Sequence, residues 1–574
     1  MNLPIVSMSV NTRKLTSFAL VAFMAGGLLG SLFWNFGGVY VPKLDVSQGF
    51  GFMKQFESDV ELRNFVKDNS GGYRRHFLFG IELTGRGFSE DAVESAQTLS
   101  GSDGEVDYSS TNIQVEGVDE ADLVKTDGQY IYLVKGSKVY IIKCYPPEDA
   151  EVISSVDQGV SADSIYIAGN KLVVFSYLPS SYQDVVRPEI IGGKDKTQVM
   201  IYDISDPANP SVDRELVMDG YYFNSRLIGE HVYFIIKNPA YLNDDEPVMP
   251  TIREGKEWTS IEPTEVWYSN ITRGWLDYTT ITSLNIHDSE APIKTETFLL
   301  DSSTNLYVSQ SNLYMVGNDW GQNSTITKIE IQDGDITFRA NASVPGYILN
   351  QFSMDEFDGY FRIATTLDTW VSENAGSNVY VLDESLELVG SLEGLAPGEQ
   401  IYSARFMGER CYLVTFKKVD PLFTIDLSNP GEPEVLGKLK IPGFSNYLHP
   451  YDENILIGVG KETTESEFGD FAWHQGVKIS LFDVSDVEDP MELAKFEIGD
   501  RGSNSPALYD HHAFLFSRER NLLVIPVLEA QIDESDFSGE VPTDFYGDYV
   551  YQGAYVFNIS EVGIDLRGKV THIE

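Results

Sequence analysis

Short runs of apolar, aromatic and β-branched residues alternate with Gly, Pro and Asx clusters along most of this chain. Runs of about four to eight such residues between turn clusters predict β-strands. The pattern is cleanest from Ile401 to Ile441, where it predicts strands over Ile401–Phe406, Cys411–Phe416, Leu422–Asp426 and Glu434–Ile441. Gly408-Glu409-Arg410, Asp420-Pro421 and Asn429-Pro430-Gly431 separate them. Looser copies recur with a period of about 40 residues or more, which points to an all-β radial repeat of four-stranded antiparallel blades, a β-propeller.

The copies divide into units. Unit 1 is Asp122–Val156, unit 2 starts near Ser164, and unit 3 is Tyr221–Leu299 with an insertion, Pro239–Ser269, between its second and third strands. Unit 4 is Asn305–Val344, unit 5 Leu349–Leu395, unit 6 the stretch above, unit 7 Asn446–Ile498, and unit 8 Ser505–Ile573 with an acidic insertion, Glu529–Asp548. The count is eight, with seven as the alternative. Two internal alignments support it. The third strand and its exit read IYDISDPANP at Ile201, TIDLSNPGEP at Thr424 and LFDVSDVEDP at Leu481; Asx followed by Pro ends a strand because the side chain bonds nearby backbone and Pro stops the ladder. The first hairpin reads RLIGEHVYFI at Arg226 and RFMGERCYLV at Arg405, and KTDGQYIYLV at Lys125 again sets a basic residue seven before a Tyr.

The N-terminal part breaks this pattern. Arg13 and Lys14 precede an uncharged run, Leu15 to Val41, long enough to span a bilayer. The expected organisation is a cytoplasmic segment 1–14, a transmembrane signal-anchor 15–41, a stalk 42–110 and a propeller domain 111–574, with the bulk outside the cell. Cleavage near Gly26-Gly27 or Gly30-Ser31 is the alternative, and it too exports the bulk. Within the stalk, Ser58 and Glu61 form a capping box ahead of Leu62, Phe65 and Val66, predicting a short helix. SGSDGEVDYSSTN, residues 100–112, reads as linker.

The chain resembles the secreted β-propeller-domain family of archaea and bacteria, which is distantly WD40-like. The resemblance is carried by TNIQVEGVDEADLVKTDGQYIY (Thr111–Tyr132), VPGYILNQFSMDEFDGYFRIATT (Val344–Thr366), VDPLFTIDLSNP (Val419–Pro430), IPGFSNYLHPYDEN (Ile441–Asn454) and DHHAFLF (Asp510–Phe516). It implies a propeller in an extracellular, often membrane-tethered setting and no established activity. The family pattern continues beyond the place where this sequence stops with a further strand-rich segment, which leaves ring closure open.

A net charge of −46 excludes nucleic acid and anionic lipid as main partners, since both carry the same sign. Cys144 and Cys411 fall in units 1 and 6, on different sides of a ring, and are expected to be two buried free thiols. No G-x-S-x-G, P-loop or strand-following G-x-G-x-x-G is present.

First strands line a propeller's channel, so Lys125, Arg226 and Arg405 are candidates for a basic patch that holds an anionic small molecule through charge-assisted bonds; pairing with Asp122, Asp127, Glu230 or Glu409 is the competing reading. His449, Asp510 and His511, in or beside the first strands of units 7 and 8, are candidate ligands for a divalent cation; backbone-bonded buried histidines compete with it. Glu116, Asp119, Glu120 and Asp122 offer oxygens to calcium but lack the EF-hand spacing. Export would make the sequons at Asn270, Asn323 and Asn341 usable for glycosylation. The functional expectation is a monomeric binding scaffold at the cell surface, its partner an envelope protein, a glycan or an anionic small molecule. A metal-dependent extracytoplasmic hydrolase or lyase near His449, Asp510 and His511, and a structural envelope component, are the alternatives.

Overall fold

The computed structural model describes residues 53–69, 111–180, 194–269, 276–301, 303–319, 323–368, 375–416, 420–466 and 471–572. Among the described residues eight blades of four antiparallel strands follow one another along the chain, six as four-stranded sheets and two extended to six strands, so the propeller has eight blades and not seven. Their inner strands are Val124–Thr126, Ala162–Ala168, Tyr221–Ile228, Ser303–Val308, Met354–Phe357, Gln400–Met407, Phe444–Pro450 and Leu515–Ser517. Blade 6 is Gln400–Met407, Arg410–Phe416, Asp420–Asp426 and Glu434–Ile441, within two residues of the predicted strands. Asp420-Pro421 is the exception: it lies inside the third strand, where Pro421 opposes Lys440, and not in a turn. Pro near a strand's start removes only one ladder bond.

The basic residue seven before a Tyr is a register mark. Lys125 lies opposite Tyr132, Arg226 opposite Tyr233 and Arg405 opposite Tyr412, each pair across the first hairpin of its blade. All three tyrosines are buried.

Apolar faces of neighbouring blades pack on each other, because each sheet is hydrophobic on both sides of its middle strands. Clusters join blades 1 and 2, 2 and 3, 3 and 4, 4 and 5, 5 and 6, 6 and 7, and 7 and 8. Among the described residues no such cluster joins blade 8 to blade 1. Glycines at positive φ serve corners where the chain swings from one blade's outer strand to the next blade's inner one. A Cβ at Gly346 (φ 89°) would lie 2.6 Å from the carbonyl of Thr366, and one at Gly443 (φ 83°) 2.5 Å from that of Lys461.

The insertion in blade 3 thickens two blades. Its hairpin Thr251–Glu254/Glu257–Ser260 adds two strands to blade 2, and Val266–Ser269 adds one to blade 3, where Met53–Gln55 pairs outside it. The helix Asp59–Asn69 follows. The backbone N–H of Glu61 donates to the Ser58 hydroxyl, and the Glu61 carboxylate accepts from Glu57 N rather than from Ser58. This helix is not a free stalk: Leu62 and Val66 are buried with Phe56 in the core of blades 2 and 3, and Tyr268 stacks on Phe56 at 3.8 Å. The acidic insertion of unit 8 carries strand at its ends, Leu522–Gln531 and Asp548–Ser560. Cys411 is buried, and burial pushes its thiol up to about 12. Cys144 is only half-buried, which corrects the expectation of two buried thiols; neither cysteine forms a disulfide.

Among the described residues no helix is long and apolar enough to cross a membrane. The predicted anchor at residues 15–41 and the sequon at Asn270 lie outside the described residues. Asn323 and Asn341 lie on the third and fourth strands of blade 4.

Candidate functional site

Before the chain enters blade 1 it runs along one end of the central channel as a strap, residues 111–122. A turn holds its middle, with Val118 N bonded to Val115 O and Gly117 at φ 78°. Two antiparallel bridges then fix it: Asp119 exchanges backbone bonds with Leu227 of blade 3, and Asp122 with Ile165 of blade 2. Side chains fasten the rest. The Asn112 amide donates to the Tyr447 hydroxyl (3.0 Å) and the His511 carbonyl (2.8 Å), and the Gln114 amide to the carbonyls of Gln351 and Met354. The Gln310 amide donates to the Glu116 carbonyl. Blades 2, 3, 4, 5, 7 and 8 all touch the strap.

Between the two bridges stands Glu120, 3% exposed. Its Oε1 accepts from Gln114 N (3.1 Å); its Oε2 lies 3.2 Å from His511 Nε2, 3.6 Å from His512 Nε2 and 3.4 Å from Arg226. Burial would push this carboxyl up, yet Arg226, His511 and His512 together hold it well below the usual carboxylate range. Asp510 caps the short 3-10 turn His511–Ala513 by accepting from His512 N (2.9 Å), and the same oxygen lies 2.8 Å from His512 Nδ1. Burial would lower His512, but Asp510, Glu120 and Asp122 raise it; burial and its neighbour His512 lower His511. Asp122 is raised by burial.

The three basic candidates have different fates. Lys125 Nζ is bonded to Asp119 (2.8 Å), the Thr111 hydroxyl (2.7 Å) and the Glu120 carbonyl (2.5 Å). Arg226 is held by Asn224, the Ser225 carbonyl, Gln351 and Glu120. The competing reading of paired cations therefore describes these two, although their acids are Asp119 and Glu120 and not the neighbours named from sequence. Arg405 differs: among the described residues no carboxylate or hydrogen-bond acceptor meets its guanidinium, and its Nε is buried without a partner. It lies over the Phe352 ring, 5.3 Å from the centroid.

Of the candidate metal ligands, Asp510 and His511 come together, but His449 stands apart. Its Nδ1 pairs with the Tyr447 hydroxyl (3.0 Å) and its ring packs on Phe514 and Phe516, so burial, with Arg405, drives it well below its ordinary value. The converging donors are Glu120, His511 and His512, whose ligand atoms lie within 4.8 Å of one another. The four strap acids offered to calcium do not share a point: Asp119 pairs with Lys125, Asp122 caps Leu123 N, and Glu120 faces the histidines.

Beside this cluster opens a cavity of about 360 Å³, lined by Phe223, Asn224, Asn305, Leu306, Asn350, Gln351, Phe352, Asn446, Tyr447 and residues 507–511. Asn224 and Asn305 occur at matching places, each the first paired residue after a bulge in the inner strands of blades 3 and 4, and Asn446 is itself the bulged residue of the inner strand of blade 7. An extra residue in one strand re-aims the side chains beside it. Sequence reasoning missed these asparagines, Glu120 as a centre, His512 and Gln351. A signal was present: four of the five stretches that carry the family resemblance, those holding Glu120, Gln351, Tyr447 and His511, meet at this one place.

A family model described as a beta propeller domain matches residues 108–574. An uncharacterised protein of Methanocaldococcus jannaschii is 27% identical over 608 aligned residues, covering 88% of each chain. An uncharacterised protein of Archaeoglobus fulgidus is 28% identical over 515, covering 73% of this chain and 75% of its own.

Proposed function

The chain belongs to the beta propeller domain family, and from that premise we propose that it is a cell-surface binding protein that takes a small anionic ligand in the cavity at its channel end. The observation that carries this is Arg405. A guanidinium that is half-buried with no acid and no acceptor among the described residues is costly unless a partner arrives, and this one lies over Phe352, whose ring lines the cavity together with Asn and Gln amides. Its planar fork suits a carboxylate or phosphate held through two parallel bonds. A volume of about 360 Å³ lies at the small end of ligand sites, which favours a small molecule over a glycan chain or an envelope protein. The asparagines would bond hydroxyls or carbonyls of the same ligand. In this reading the run 15–41 tethers the propeller outside the cell, and Asn323 and Asn341 become available for glycosylation.

A thermal-shift screen of the full-length protein against simple carboxylates, hydroxy acids and sugar phosphates tests the proposal, since a ligand that binds only the folded state raises the melting temperature. At least one anion should stabilise the wild type saturably and leave Arg405→Gln unshifted. Equal shifts in both proteins, or none across the panel, would sink it.

A further inference from the structure

We propose that Glu120, His511 and His512 hold a divalent transition-metal ion of the zinc class at the channel end. This goes beyond the anion-binding reading and does not rest on it, because Arg405 takes no part.

Three features carry the inference. The first is convergence. Donor atoms bound to one tetrahedral zinc at ~2.0–2.1 Å stand about 3.4 Å from one another. Glu120 Oε2 lies 3.2 Å from His511 Nε2 and 3.6 Å from His512 Nε2, and all three atoms fall within 4.8 Å. Residues from opposite ends of the domain are brought to one point, with the strap pinned on both sides of Glu120.

The second is the support behind the donors. Asp510 accepts from His512 Nδ1 at 2.8 Å, which leaves the Nε2 lone pair facing Glu120. A carboxylate behind a histidine is the arrangement that orients metal-bound imidazoles and raises their basicity. Glu120 keeps Oε1 on the backbone N–H of Gln114 while Oε2 faces the histidines. Arg226 has Asn224, the Ser225 carbonyl and Gln351 to retain it when Oε2 turns to an ion.

The third is charge. Asp119, Glu120, Asp122 and Asp510 surround the cluster, and Lys125 and Arg226 offset two of them. With neutral imidazoles, one dication balances the remainder. Two imidazole nitrogens and one carboxylate oxygen suit a borderline ion such as zinc, cobalt or ferrous iron, and not calcium or magnesium, which require a shell of oxygens. Three protein ligands leave a position for water. His511, Asp510 and Gln351 also line the cavity, so a cavity ligand reaches that water.

The test uses full-length protein, freed of any affinity tag, stripped with chelator and titrated with Co²⁺ while its visible d–d absorption is recorded. Elemental analysis before stripping gives the native ion. One cobalt per chain is expected, with zinc, cobalt or iron in the untreated protein. Glu120→Gln and His512→Gln should abolish the bands, Asp510→Asn should weaken binding about 10–100-fold, and Arg405→Gln should leave binding unchanged. If the buried variants lose their circular-dichroism signal of folding, Asp510→Asn decides, because its side chain is half-exposed. No stoichiometric cobalt in the folded wild type, or the same affinity in Asp510→Asn as in wild type, overturns the proposal.

Discussion

Two arginines on matching strand positions should respond oppositely to substitution. Arg226 and Glu120 are each 3% exposed and face one another. Removing one member of a buried pair leaves the other charge uncompensated, at a cost of about 3–5 kcal/mol. Arg226→Met should therefore lower stability by about that amount in chemical denaturation. Arg405 has no carboxylate or hydrogen-bond acceptor to lose among the described residues, only the Phe352 ring beneath it, so Arg405→Gln should stay within about 1 kcal/mol of wild type, as most substitutions away from paired groups do. A cost of several kcal/mol for Arg405→Gln would show that a protein group holds the guanidinium after all.

Among elements, the corners and the middle strands make separate predictions. The corner glycine Gly443 has φ 83° and a carbonyl 2.5 Å from where a Cβ would stand. Gly443→Ala should cost about 2 kcal/mol or more, because strain in the left-handed region adds to a backbone clash. An urea midpoint equal to that of wild type would mean that the corner relaxes freely. Lys237, on the second strand of blade 3, is 1% exposed, with its ammonium 3.6 Å from the Phe223 ring centroid. Burial lowers it to about 8, against the partial support of Asp277. A lysine with a lowered folded-state value binds fewer protons folded than unfolded, so its penalty is full below pH ~8 and is relieved as pH rises toward 10.5. The stability of the wild type should thus climb between about pH 8 and 10.5 relative to Lys237→Met, on the order of 1–3 kcal/mol. Parallel pH profiles of the two proteins would contradict this.

Across the whole molecule, blade architecture was legible because period and turn chemistry are local: RLIGEHVYFI and RFMGERCYLV predicted a shared hairpin, and Arg226 and Arg405 do lie opposite Tyr233 and Tyr412. The site was legible only in part. Arg405 and His511 were candidates because inner strands line channels, but Glu120 joins His511 from 391 positions away, a distance that no local pattern bridges. His449 looked equivalent to His511 until Tyr447 and two Phe rings were seen to enclose it. The helix 59–69 read as a stalk because its partner, Tyr268, sits in an insertion about 200 residues on. Under the proposed anion-binding function the total charge of −46 also matters, since a long-range field of that sign repels an anion while Arg405 would attract it only at close range. Association of the anionic ligand should therefore quicken as salt rises from about 0.01 to about 0.15 M; slowing in stopped-flow measurements would place the site in a positive field instead. The most direct measurement is calorimetric titration of the full-length protein and Arg405→Lys with the anion that raises the melting temperature most. A lysine keeps the charge and loses the planar fork, so a single site per chain should appear in wild type and weaken at least about tenfold in the variant, roughly 1.4 kcal/mol. Equal affinity in the two proteins, or no saturable site in either, would contradict the account.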